Sequence, residues 1–126
     1  MYDLIIVMAQ PFSPGDFLVF QLESGFALLR LLAIDEVDGE SVWHLAAYDD
    51  LFPDIDMAEA ATAMPLALTT RSPHLALTKR AFESTQVAKI GNAALSDDEK
   101  MPLNEWRADA TREVSDRSVR LLLGLR

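Results

Sequence analysis

Three turn signals in the first third of the chain limit its folding more than any other feature. The run Pro11-Phe12-Ser13-Pro14-Gly15-Asp16 is made of residues that break regular structure, and Ser24-Gly25 and Asp38-Gly39 repeat the signal at short intervals. Between them, residues 17–22, 26–37 and 42–48 are rich in aromatic, branched and leucine side chains, the composition of strands. Glycine after aspartate readily supplies the positive φ of a tight hairpin. Strands joined by such short turns pair with their neighbours, so this part of the chain predicts an antiparallel meander.

Beyond the meander the pattern changes. Residues 49–53 interrupt it, and Asp56 with Glu59 has capping-box spacing at the alanine-rich stretch 57–64, which ends at Pro65. One short helix is expected there. Residues 66–70 and 75–84 return to strand-like composition, with Arg71-Ser72-Pro73 as the break between them, and 87–90 leads to a further turn at Gly91-Asn92. Ser96-Asp97-Asp98-Glu99 is another capping box, whose helix Pro102 limits to about one turn. Leu103, Trp106, Ala110 and Val114 fall at helical spacing, whereas Thr111 and Val114 in a polar context also suit an exposed strand. The terminal apolar run 119–125 is expected to close the sheet as a last strand, and Leu4-Ile5-Ile6-Val7-Met8 to form an edge or lead-in strand, unless Met8 is the true start and residues 1–7 are dispensable.

A chain of 126 residues, half of them hydrophobic, is the size of one domain with its own core, so residues 1–126 are read as a single domain. The class is α+β: a strongly bent antiparallel β-sheet, or a small SH3-like half-barrel, with one or two short helices. The 4–8 run is shorter than the roughly 20 apolar residues of a membrane span and lacks the basic flank of a signal peptide. With no cysteine in the chain, a cytoplasmic setting is expected. Twenty acidic residues against eleven basic ones give a net charge of -9, which opposes the counterion release that drives nucleic-acid binding. The same charge steers association with a basic protein surface.

The densest polar cluster is Asp49, Asp50, Asp54 and Asp56 with Glu59 behind it, the candidate binding face. Oxygen ligands at this density suit a hard cation, but the spacing matches no calcium loop: the central glycine and terminal glutamate are missing and Phe52-Pro53 occupies the place of a flexible ligand loop. No metal or other cofactor is expected. His44 and His74 are the only histidines, too few for a zinc site without cysteine. Strand alternation places His44 on a face with Val42 and Ala46, away from Trp43, and a partly exposed strand histidine is the simplest expectation. No Gly-x-Ser-x-Gly elbow or phosphate-cradling glycine pattern is present, so no catalytic residue is assigned.

Two segments together resemble one of the bacterial immunity-protein families encoded beside polymorphic toxins. The first is Pro14-Gly15-Asp16-Phe17-Leu18-Val19-Phe20-Gln21-Leu22, followed after a turn by Leu29-Arg30-Leu31-Leu32; the second is Lys89-Ile90-Gly91-Asn92-Ala93-Ala94-Leu95. The resemblance implies an antitoxin that occludes a toxin without enzyme activity. Two other functions compete with it. One is a small cation-dependent hydrolase built on Asp49, Asp50, Asp54 and His44. The other is an oligomerising structural domain in which Leu121-Leu122-Leu123 pairs across a two-fold axis.

Overall fold

The computed structural model describes residues 12–125; the lead-in strand expected at residues 4–8 lies outside them. β1 (Asp16–Leu22) pairs antiparallel with β2 (Gly25–Val37), and β2 with β3 (Glu40–Phe52), Val37 standing opposite Glu40. Asp38 (φ 52°) and Gly39 (φ 81°) both occupy the left-handed region, the backbone of a type I′ turn, whose twist matches that of the strands it joins. The chain then makes an excursion through α1 (Ile55–Ala61) and a 3-10 turn at Pro65–Ala67. It returns as β4 (Thr70–Thr78) on the free edge of β3 and passes through α2 (Lys79–Thr85) to β5 (Ala88–Asn92) on the far edge of β1. α3 (Asp97–Ala108) and α4 (Val119–Leu123) follow. The order is β4-β3-β2-β1-β5, antiparallel throughout and not closed into a barrel, so the fold is α+β on an open sheet. Among the described residues no helix is long and apolar enough to cross a membrane.

Both faces of the sheet are covered, which explains why Ala27–Ala33 and Val42–Tyr48 are buried without alternation. On one face, Leu18, Phe20, Leu29, Leu31, Leu45 and Leu77 pack under α2 and α4, with Trp43 stacked on Phe82 at 4.1 Å between ring centroids. On the other, Phe17, Val19, Leu28 and Tyr48 pack with Ala58 of α1, while Leu32, Ala33 and Ala46 pack with Leu103 of α3. Consecutive Leu32 and Ala33 share that face because the β2–β3 register shifts between Leu31 and Ala33. After the shift, Ile34 joins the first core and Asp35 faces α3.

Several local expectations give way to tertiary structure. α1 is capped by Asp54, whose carboxylate accepts from the Met57 N–H at 2.8 Å, and not by the Asp56–Glu59 pair. The break expected at Arg71-Ser72-Pro73 is absent: β4 runs through it, and an edge strand has room for a proline that donates no hydrogen bond. Residues 66–70 give a 3-10 turn and only the start of β4. The strand expected over 75–84 stops at Thr78, whose hydroxyl caps α2 by accepting from the Ala81 N–H. Gly91-Asn92, expected as the turn after 87–90, are instead the last two residues of β5.

The Ser96–Glu99 capping box forms as expected, yet α3 continues past Pro102 and is 12 residues long in all. Proline there removes one backbone donor, and the helix survives because both its ends are tied to the sheet. Beyond Ala108 the chain is irregular and runs along β4, where Ser115 exchanges hydrogen bonds with Ala76 and Thr78 and shields that edge. The closing strand expected at 119–125 is instead helix α4, capped by Ser118 and ended by Gly124 at φ 67°. α4 buries Val119 and Leu123 and leaves Leu121 exposed. Among the described residues there are thus four α-helices, where one or two were expected.

Candidate functional site

Three groups of side chains carry polar chemistry, and they differ in what their groups are free to do. The first is the excursion between β3 and β4. Nine large hydrophobic side chains are exposed among the described residues, and five of them fall here or at the end of β3 leading into it: Leu51, Ile55, Met57, Met64 and Leu66, the last fully exposed. Leu51, Ile55 and Met57 are interleaved with the five acids singled out in the sequence, and Met64 and Leu66 follow them. Asp49 is exposed and accepts from Arg71 at 3.2 Å, while Asp50 accepts from the Thr69 N–H at 2.8 Å and pins the end of the excursion to its start. Asp54 is occupied as the helix cap. Asp56 and Glu59 project from α1 with no side-chain hydrogen bond among the described residues. The five carboxylates do not converge on a common point that could hold a cation.

The second group joins the two segments that carry the family resemblance. Asp16 and Asn92 lie 76 positions apart in sequence, yet the Asn92 amide donates to the Asp16 carboxylate at 2.8 Å and to the Pro14 carbonyl at 3.2 Å. The Ala93 N–H bonds the Gly15 carbonyl. Gly15 (φ +94°) has no space for a side chain, since a Cβ would overlap the Ala93 carbonyl oxygen. Asp16 is fully buried; burial pushes its carboxyl up, but hydrogen bonds from Asn92, the Ser13 N–H and Lys89 outweigh that and hold it below the ordinary value. Arg30 of β2, 1% exposed, completes the joint. Its guanidinium donates to the Gly15 carbonyl (2.6 Å), the Ala94 carbonyl (3.2 Å) and the Glu99 carboxylate (3.1 Å), and lies 4.1 Å from the centroid of the Phe17 ring. Every polar partner here is internal, so the joint is a structural device.

The third group corrects the expectation for His44. It is fully buried, 0% exposed, beneath α3. Its Nε2 lies 3.1 Å from the Asp35 carboxylate and its Nδ1 lies 2.9 Å from Nε2 of half-buried His74. Arg107 of α3 grips Asp35 with two donors, at 2.6 and 3.0 Å, and the Trp106 ring packs edge-on to His44. Arg107 is the main cause that holds the Asp35 carboxyl below its usual value. An ionised Asp35 takes the His44 Nε2–H, which leaves Nδ1 of neutral His44 to accept from the His74 Nε2–H. His74 lines a cleft of about 460 Å³ together with Trp106, Glu113 and Arg117.

Asp35, His44 and His74 therefore form a relay that opens on solvent, but it lacks the character of a catalytic base. Burial, then the neighbouring His44 and Arg107, lower His74 to about 4, far from the near-neutral value that general-base catalysis favours. The one nearby hydroxyl bonded to His74, that of Ser72, donates to its backbone carbonyl and not to its ring. Asp49, Asp50 and Asp54 are engaged with Arg71, Thr69 and Met57, and among the described residues His44 and these carboxylates form no group that could hold a metal ion.

Part of the relay was within reach of the sequence. A two-residue loop at Asp38-Gly39 sets Asp35 opposite Val42, and His44 is then the diagonal neighbour of Asp35 on the same face. No protein-family model, curated protein or solved structure matches this chain.

Proposed function

We propose that this protein is a non-catalytic binding protein that neutralises a basic partner protein by occluding it, as an immunity protein does with a toxin, in the bacterial cytosol. The observation that carries the reading is the 51–66 segment, where exposed Leu51, Ile55 and Met57 stand among the acids Asp50, Asp54, Asp56 and Glu59 and exposed Met64 and Leu66 follow. Soluble monomers seldom concentrate exposed apolar side chains in this way, and methionine-rich surfaces adapt to a partner's shape. The surrounding carboxylates select a basic surface, and the net charge of -9 accelerates the encounter. The resemblance to immunity proteins rests on two segments that meet in one buried joint, so both belong to a single structural unit.

The test pairs the purified protein with the products of its neighbouring genes. One basic product should bind stoichiometrically and lose its activity on binding. Met57→Glu with Leu66→Glu, both on exposed positions, should weaken that binding at least tenfold with little change in unfolding. Full affinity in this variant would move the interface elsewhere, and no binding by any neighbouring product would remove the immunity reading.

A further inference from the structure

α3 is a long helix with little apolar anchorage. Of its twelve residues only Leu103 is buried, and Pro102 interrupts its backbone hydrogen bonding. A cavity of about 200 Å³ lies beneath its first turns, bounded by Leu32, Ala46, Tyr48, Pro73 and Pro102. Lining atoms that face such a gap lose part of their packing energy. What holds the helix down is polar: Glu99 on Arg30 at one end, and at the other Arg107 on Asp35, with Trp106 lying over the two stacked imidazoles.

We propose that the Asp35–His44–His74 array is an acid-sensitive latch for α3: the helix docks most tightly while both imidazoles are neutral, a first proton on the buried pair weakens the docking, and a second releases the helix from the sheet. The relay closes only with at least one neutral ring, because two imidazoliums have no acceptor to place between Nδ1 of His44 and Nε2 of His74. The charges around the pair come from every packed element. β2 supplies Asp35, β3 and β4 supply the two histidines, and α3 supplies Arg107. The segment after α3 adds Arg112, 5.5 Å from the Trp106 ring, and Glu113 and Arg117 beside His74 in the cleft. Asp35 already serves Arg107, and Glu113 lies among two arginines, so a second proton on the pair meets a cationic setting. Undocking relieves it, since the arginines leave with α3 and the rings regain water. The release uncovers Leu32, Ala33 and Ala46, an apolar strip next to Tyr48.

Hydrogen exchange of the backbone amides in α3, measured as protection factors and compared with those of β1–β3, tests the latch on the unmodified protein. With His74 held at about 4 when docked and free to take its ordinary value of 6.5 when released, opening of α3 should rise up to about 20-fold between pH 7 and pH 5 while the sheet stays protected. His74→Gln keeps a donor for His44 but does not titrate, and should cut that rise to a few-fold. Protection in α3 that does not change with pH, that falls only in step with the sheet, or that falls equally in the His74→Gln protein would overturn the proposal.

Discussion

The two ends of α3 are fastened to the same sheet by polar clusters of opposite character. At the first end the buried ion is a guanidinium, Arg30, and each of its three nitrogens donates to Gly15, Ala94 or Glu99. At the other end the buried groups are imidazoles, neutral near pH 7, and the charged partner Arg107 stands near the surface. A satisfied guanidinium makes a permanent joint. An imidazole pair makes a joint that depends on protons. The first cluster ties together β1, β2, β5 and α3 and so supports the whole fold, whereas the second supports one helix.

The largest expected effect follows from the permanence of the first joint. Arg30→Met retains much of the side-chain volume but takes the guanidinium donor from the Ala94 carbonyl, leaves the Gly15 carbonyl only its bond from the Ala93 N–H, and leaves the Glu99 carboxylate without its cation. Breaking a buried pair from one side costs about 3–5 kcal/mol, and denaturant unfolding should register a loss of that order. Arg30→Lys should recover little, because one ammonium cannot span three acceptors set around a planar fork. A loss under about 1 kcal/mol would end the contrast between the two joints.

The second effect is the pH dependence. Burial lowers both histidines below the free value of 6.5, His74 to about 4, against the opposing pull of Asp35 on His44. The unfolded chain therefore takes up protons first as pH falls. Stability from the imidazoles is whole above about 6.5, declines from there toward 4, and levels off below both values. At about 1.36 kcal/mol per unit, His74 contributes no more than about 3 kcal/mol to that decline. Asp16, Asp35 and Glu99 have lowered values, so their contribution is present above the ordinary carboxylate range and is lost only as pH falls through it. Unfolding free energies measured from pH 7.5 to 3.5 should thus show two separate declines. His74→Gln should flatten the upper one and leave the lower in place.

The sequence reading succeeded where a signal is local and failed where distant segments decide. The Asp38-Gly39 hairpin and the Ser96–Glu99 capping box are legible because each is complete within a few residues. Residues 79–84 run on from the strand-like 75–78 before them and 119–125 carry the apolar composition of a strand, yet each is preceded by a hydroxyl that caps a helix, Thr78 and Ser118, and each covers a face that the sheet alone would leave exposed. The acidic face at 49–59 was visible as charge. Its apolar partners became meaningful only once the core had claimed the other hydrophobic side chains and left these out. The histidine pair was hidden by the expected break at Arg71-Ser72-Pro73, which removed His74 from the strand beside His44.

The smallest effect sharpens the comparison most. Arg107→Met deletes the cation at the second end of α3, as Arg30→Met does at the first, but the Arg107 side chain is 43% exposed and its ion pair with Asp35 is screened by water. The expected cost near neutral pH is about 1 kcal/mol or less. The same substitution removes a positive charge that depresses both histidines, so their values should move up toward 6.5 and the upper decline should become shallower. An imidazole titration followed by NMR, with unfolding measured at pH 7 and pH 5, separates the two consequences. A variant that loses several kcal/mol at pH 7 would make the second joint as permanent as the first, and unmoved histidines would show that Arg107 has no part in setting the proton dependence of α3.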